Sequence, residues 1–165
     1  MTPLRAFINS TLAEVARDYG TGSVLNAGAR RGETDRAGRL YSKYFPHAES
    51  WTTLDKRRGA DIAEDLDFEF DLALTFDLVL CISVLEHVQR PPCVAANLRH
   101  FLATGGHLFV AVPFLYPYHP GRGFGDFWRF TADGLRLLFP GMTEVFLRAA
   151  PADAGFCALF KEARQ

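Results

Sequence analysis

Cysteine is scarce in this chain: Cys81, Cys93 and Cys157 are the 3 in 165 residues, widely spaced and without a CxxC pair. Neither a disulfide framework nor a standard zinc knuckle fits such a set, and Cys81, His87 and Cys93 lack zinc-ligand spacing, so no metal site is expected. A reducing compartment, the cytoplasm, is the expected location. Long apolar runs are missing too. The longest, residues 78–85, falls far short of the ~20 residues that a membrane span needs, so no membrane association is expected. Charge of one sign is not in surplus either: 18 Lys and Arg stand against 19 Asp and Glu, a formal net charge of -1. Proteins that wrap polyanionic nucleic acid carry a basic excess, which makes nucleic acid an unlikely partner class.

What the chain does hold is apolar. Hydrophobic residues make up 48% and charged residues 22%, matching a single globular domain over residues 1–165. Phenylalanine is abundant at 15 copies, and it gathers in residues 109–130.

The apolar pattern supplies an element order. Thr2-Pro3 followed by Leu4, Phe7, Ile8, Leu12, Val15 and Tyr19 gives an N-cap, a first-turn proline and a helical stripe closed by Gly20. Residues 23–27 (S-V-L-N-A) form a strand broken at Gly28, and residues 33–44 are predicted helical up to Pro46. Residues 51–54 are a second strand. The near-continuous apolar run 76–83 (F-D-L-V-L-C-I-S) suits a strand buried on both faces, as in parallel α/β sheets. Pro91-Pro92 opens a helix predicted to run through Phe101 and Leu102 to Gly105-Gly106, before a strand at 107–112. Thr131 caps another helix, and 143–148 and 156–161 are the last strands. The connection between those two is too short for a parallel crossover, so they form an antiparallel hairpin.

A mostly parallel sheet with helices on both faces and a C-terminal antiparallel hairpin separates this chain from dinucleotide-binding dehydrogenases, which continue in strand-helix-strand units. It resembles the class I S-adenosylmethionine-dependent methyltransferases. The runs F-D-L-V-L-C-I-S-V-L-E-H-V (76–88) and L-R-H-F-L-A-T-G-G-H-L-F-V-A-V-P-F (98–114) look like the fourth strand, following helix and fifth strand of the type 11 small-molecule group. The continuation P-F-L-Y-P-Y-H-P…D-F-W-R-F-T-A-D-G-L (113–135) is similar to a subgroup with P-x-H-P and D-Y-W-R-F-T in the loop after the fifth strand.

The resemblance implies a Rossmann-like fold, S-adenosylmethionine as cofactor and a small-molecule acceptor. It implies a cofactor contact for Gly28 and Gly32, in a turn that brings the ligand to the backbone and the next helix N-terminus. Asp55, at the end of the second strand, corresponds to the acid that holds the ribose hydroxyls. Asp65 and Leu66 correspond to the adenine contacts, with Asp61 the alternative acid, and Ser83 lies near the methionine portion. Two positions depart from acid-x-Gly-x-Gly-x-Gly: the segment reads Asn26-Ala27-Gly28-Ala29-Arg30-Arg31-Gly32. Asn26 lacks the charge that favours the cofactor ammonium. Arg30 blocks the pocket, swings into solvent or pairs with the methionine carboxylate. The rival reading is a methyltransferase-like domain that has lost catalysis and serves as a binding or assembly partner.

Methyl transfer to oxygen or nitrogen is helped by a base, and His119, Glu86 and His87 are the catalytic candidates by location. Tyr116, His119, Asp126, Trp128 and Arg129, in the aromatic loop, are the substrate-binding candidates. They hold a planar or anionic acceptor, or they form a flap fixed by an Asp126–Arg129 pair. That loop is the only sizeable segment left to cover a site. The length therefore predicts an open site or one completed by a second chain, as in a homo-oligomer.

Overall fold

The computed structural model describes residues 2–163. Helix α1 (Pro3–Tyr19) starts where the side chain of Thr2 accepts the Arg5 amide hydrogen, with Pro3 at its first turn. Its stripe of Leu4, Ile8, Leu12 and Val15 is buried. The stripe packs on one face of the sheet against Leu78, Leu80, Phe109 and Leu159. Each such buried side chain contributes roughly 1.5–3 kcal/mol relative to exposure.

Six strands follow: β1 (Ser23–Ala27), β2 (Ser50–Leu54), β3 (Phe76–Ile82), β4 (Leu102–Pro113), β5 (Thr143–Ala149) and β6 (Gly155–Lys161). They form one sheet in the order β2-β1-β3-β4-β6-β5. The first four are parallel, and β6 runs antiparallel to both β4 and β5, as the short last connection requires. Helices α2 (Pro91–His100) and α3 (Ala132–Leu138) cover the opposite face, where Val94, Leu98 and Leu135 meet Val79, Cys81, Val110 and Phe160. With β2 and β3 on either side of β1, the order reverses at β1/β3. A crevice therefore opens beyond the carboxyl ends of those two strands, where this class of sheet binds ligands.

The predicted helix over residues 33–44 does not form. Only a single 3-10 turn, Tyr41–Tyr44, is present. Buried Asp35 is the reason: its Oδ1 accepts the amides of Ala37 and Arg39, and its Oδ2 accepts the hydroxyl of Tyr44 at 2.7 Å and the Asn9 amide at 3.1 Å. A carboxylate that captures nearby backbone N–H groups competes with the helix for them, and Gly38 at φ +85° breaks the spiral outright. The turn after β1 therefore leads to no helix N-terminus. No strand forms between Leu54 and Phe76 either, so the strand that the resemblance counts as fourth is the third here. Helix α2 also stops sooner than predicted, at His100. Leu102 already pairs with Phe76, and the chain bulges before His107 resumes the ladder beside Leu78.

Candidate active site

The crevice is a cavity of about 570 Å³. At one end it is lined by Asn26, Gly28, Asp55, Asp65, Leu66 and Ser83. Gly28 follows β1 with φ +80°, and a Cβ there would crowd Val84, the residue after Ser83. Only glycine allows the two strand ends to approach so closely. Ser83 is itself left-handed at φ +54°, a conformation that costs a non-glycine residue of order 1–3 kcal/mol and that collects at functional sites. Its amide donates to the carbonyl of Ala111, which fixes the bend where β3 ends.

Asp55 is buried, with one edge engaged by Arg57: Nε lies 2.9 Å from Oδ1 and Nη2 2.6 Å from Oδ2. Burial pushes this carboxyl up, but the hydrogen bonds from Arg57 outweigh it and hold it below its ordinary value. Asp65 faces Lys56 at 3.4 Å. Asp61 is committed elsewhere: it accepts from the backbone and hydroxyl of Thr53 and from Arg31, tying down the end of β2 outside the cavity lining.

The other end is built by the turn Leu85–His87 and the loop after β4. The Glu86 carboxyl is fully buried, and neither oxygen is hydrogen bonded to another of the described residues. Burial pushes its pKa up to about 8. His87 and His119 present Nε2 to Glu86 Oε1 at 3.7 and 4.0 Å. Burial also holds the His87 imidazole below its ordinary pKa.

The loop is latched down by its own residues. Phe127 N donates to the Glu86 carbonyl at 2.7 Å, and Trp128 Nε1 donates to the Val88 carbonyl at 2.9 Å. Arg129 grips Asp126 through both terminal nitrogens, at 2.5 and 2.8 Å, and this pairing holds the Asp126 carboxyl far below the usual carboxylate range. Asp126 in turn accepts the His119 amide hydrogen at 2.8 Å.

Of the sequence candidates, Tyr116, His119, Glu86 and His87 share the cavity with the residues at the Gly28 end. Asp126, Trp128 and Arg129 do not line it; they brace the loop that carries His119. Arg30 and Gly32 lie apart, in a surface hollow with Arg31, Arg58 and Gly59. The Arg30 side chain is exposed, which argues against its blocking the cavity.

Arg5 was missed by sequence reasoning. From the first turn of α1 it reaches the Tyr41 hydroxyl at 3.0 Å and Ser83 Oγ at 3.5 Å, inside the cavity. Its one signal was a cation placed among the apolar positions of a helix start. Phe124 also lines the cavity and stacks edge-on against His87, with ring centroids 4.6 Å apart.

A similar fold recurs in solved structures. An N-methyltransferase NodS from Bradyrhizobium japonicum WM9, in complex with S-adenosyl-l-homocysteine, is 19% identical with a TM-score of 0.68, covering 98% of this chain and 88% of its own. A Burkholderia thailandensis 1,6-didemethyltoxoflavin-N1-methyltransferase with S-adenosylhomocysteine bound is 17% identical with a TM-score of 0.61, at 98% and 88% coverage. An S-adenosylmethionine-dependent methyltransferase from Clostridium acetobutylicum ATCC 824 is 8% identical with a TM-score of 0.69, at 98% and 91% coverage. At such identities the likeness concerns the fold. No curated protein matches the chain. The profile of a methyltransferase domain does match, over residues 9–157, which takes in the first five strands, the start of β6 and nearly the whole cavity lining. The crevice at the β1/β3 switch point is therefore set in a family fold, and the chain belongs to the methyltransferase domain family.

Proposed function

We propose that the protein is an S-adenosylmethionine-dependent methyltransferase acting on a small-molecule acceptor. The observation that carries this reading is one continuous cavity joining Asp55, Asp65 and Gly28 to Glu86, His87 and His119. Its volume suits a nucleoside-sized ligand beside a small acceptor, since such sites run from ~300 to ~1,000 Å³. The residues present fit the cofactor. Gly28 leaves room for a ligand against the backbone, and Asp55 is a buried acid at the end of β2 that would accept ribose hydroxyls.

Asp65 and Leu66 would bound the adenine. Arg5, rather than Arg30, would offer a guanidinium to the methionine carboxylate near Ser83. S-adenosylmethionine supplies an activated methyl group on a sulfonium, and the chain's task is to hold an acceptor in line with it. Positioning of this kind accounts for much of the acceleration in such transfers. At the acceptor end, Glu86, His87 and His119 are the groups placed to assist loss of the acceptor's proton.

Binding of S-adenosylhomocysteine, followed by thermal shift, tests the reading. At about 100 times its dissociation constant the ligand should add about 2.7 kcal/mol, a rise of roughly 5–10 °C. Asp55→Asn should lose most of that rise and, without ligand, melt only a few degrees lower, as loss of a pair worth about 1 kcal/mol predicts. Absence of any shift in the wild type with millimolar S-adenosylmethionine or S-adenosylhomocysteine would overturn the proposal.

A further inference from the structure

Three side chains that can each offer a lone pair, Glu86, His87 and His119, converge at the acceptor end. The His87 Nδ1 lies 2.6 Å from the carbonyl oxygen of Gly125, so that nitrogen carries the proton and donates it. Its Nε2 is left bare and faces Glu86. His119 repeats the arrangement: Nδ1 lies 2.9 Å from the Pro117 carbonyl oxygen and 3.1 Å from Asp126 Oδ2, which leaves its Nε2 bare toward the same carboxylate. Both oxygens of Glu86 lack a hydrogen-bond partner among the described residues, although the side chain is fully buried.

Burying an unpaired carboxylate costs several kcal/mol, and here the nearest groups are two more acceptors. A proton on the buried carboxyl relieves the cost at Glu86 alone, whereas a cation engages all three side chains at once. The donor atoms of Glu86, His87 and His119 all lie within 4.8 Å of one another. The rings are fixed in the manner of metal ligands, each with its second nitrogen donating to a carbonyl or carboxylate. Asp126, itself clamped by Arg129, plays that supporting part for His119.

We propose that Glu86, His87 and His119 form a three-ligand site for a divalent first-row transition-metal ion, bound by one carboxylate oxygen and two imidazole Nε2 atoms. The donor set selects zinc, iron, manganese or cobalt over magnesium and calcium, which prefer all-oxygen ligands. Metal bonds of ~2.0–2.1 Å place tetrahedral ligands about 3.3 Å apart, so Glu86 Oε1 and the two nitrogens, now at 3.7 and 4.0 Å, close in by less than an ångström. His119 rides on a loop and Glu86 and His87 on a single 3-10 turn, which makes that closure a small adjustment.

With three protein ligands, the ion keeps a position open toward the cavity. An acceptor hydroxyl bound there would lose its proton to solvent water more readily, because the ion stabilises the resulting oxygen anion. That role rests on the methyl-transfer reading; the ion site itself does not.

The test uses untagged full-length protein, stripped with chelator and titrated with Zn2+ alone by calorimetry and with Co2+ alone by visible absorption. One equivalent should bind, with the absorption of a low-coordinate Co2+ centre. Glu86→Gln and, separately, His119→Ala should abolish stoichiometric binding yet keep the thermal shift with S-adenosylhomocysteine. Asp126→Asn should weaken the metal by about 10–100-fold, as loss of a supporting carboxylate does. His119→Ala is the fallback if removing the buried charge of Glu86 compromises folding. Wild-type protein that shifts with S-adenosylhomocysteine but takes up no Zn2+ or Co2+ overturns the ion site and leaves the cofactor reading intact. Equal binding by wild type and both ligand variants also overturns it, since the ion then sits elsewhere. Metal uptake lost in the variants, without any cofactor shift in the wild type, upholds the ion site and refutes methyl transfer instead.

Discussion

Gly28→Ala asks a residue with a Cβ to hold φ +80° and places that Cβ against the side chain of Val84, with Cγ1 at 3.0 Å and Cγ2 nearer still. Two costs add. The left-handed backbone costs an alanine about 1–2 kcal/mol. Crowding against Val84 costs about 1–3 kcal/mol, because Val84 follows the strained Ser83 and has little freedom to retreat. The sum, about 2–5 kcal/mol, predicts a melting temperature lower by roughly 5–15 °C for a chain of this size.

Val84→Ala separates the two costs. Alone it should cost about 1–2 kcal/mol in lost burial. Combined with Gly28→Ala it removes the crowding, so the double variant should be more stable than additivity predicts, by about 1–3 kcal/mol. Urea denaturation of the four proteins measures that coupling, and titration with S-adenosylhomocysteine measures whether the restored space also restores binding. Strict additivity would refute the close approach of the β1 and β3 ends. A Gly28→Ala protein as stable as wild type would refute the left-handed turn.

Two further outcomes follow from carboxylates that the fold has committed. Arg57→Ala should tighten S-adenosylhomocysteine binding by up to about fivefold, because a half-exposed ion pair worth about 1 kcal/mol no longer competes for Asp55; weaker binding in a direct titration would show that Arg57 itself holds the ligand. Burial pushes the Asp35 carboxyl up, but hydrogen bonds from Tyr44 and from the amides of Arg39 and Ala37 outweigh it and hold it below its ordinary value. The unfolded state therefore binds the proton more readily, and the stability contributed by Asp35 is present above the unfolded pKa of ~3.9 and lost as pH falls through the folded value. Asp35→Asn should cost about 2–3 kcal/mol at neutral pH and flatten the acid limb of the stability curve; a limb of unchanged slope would mean that Asp35 does not drive it.

Much of the architecture was legible because it depends on local pattern. Thr2-Pro3 starts α1, the near-continuous apolar run at 76–83 announces a strand covered on both faces, and the short link before β6 dictates the reversed hairpin. The region between β1 and β3 was not legible in the same way. Residues 33–44 carry helix formers, yet Asp35 is drawn into a buried network with Tyr44 and Asn9, and that tertiary arrangement overrides propensity. Asp61 and Asp65 look alike as acids in one loop; which of them faces the cavity depends on Thr53 and Arg31 holding Asp61 away.

The sequence by itself determined the element order and the reversed final hairpin, since these follow from apolar periodicity and a short last link, and its motifs carried the resemblance to the family to which the chain belongs. Only the tertiary structure decided what the aromatic segment does. Trp128, Arg129 and Asp126 turn out to latch the loop rather than line the cavity, and the latch brings His119 to Glu86 and His87 from a distant part of the chain. The convergence of three bare donor atoms on a buried space has no sequence spacing of its own. It arises because β3 and β4 end side by side, so the segments that leave them must share one crevice.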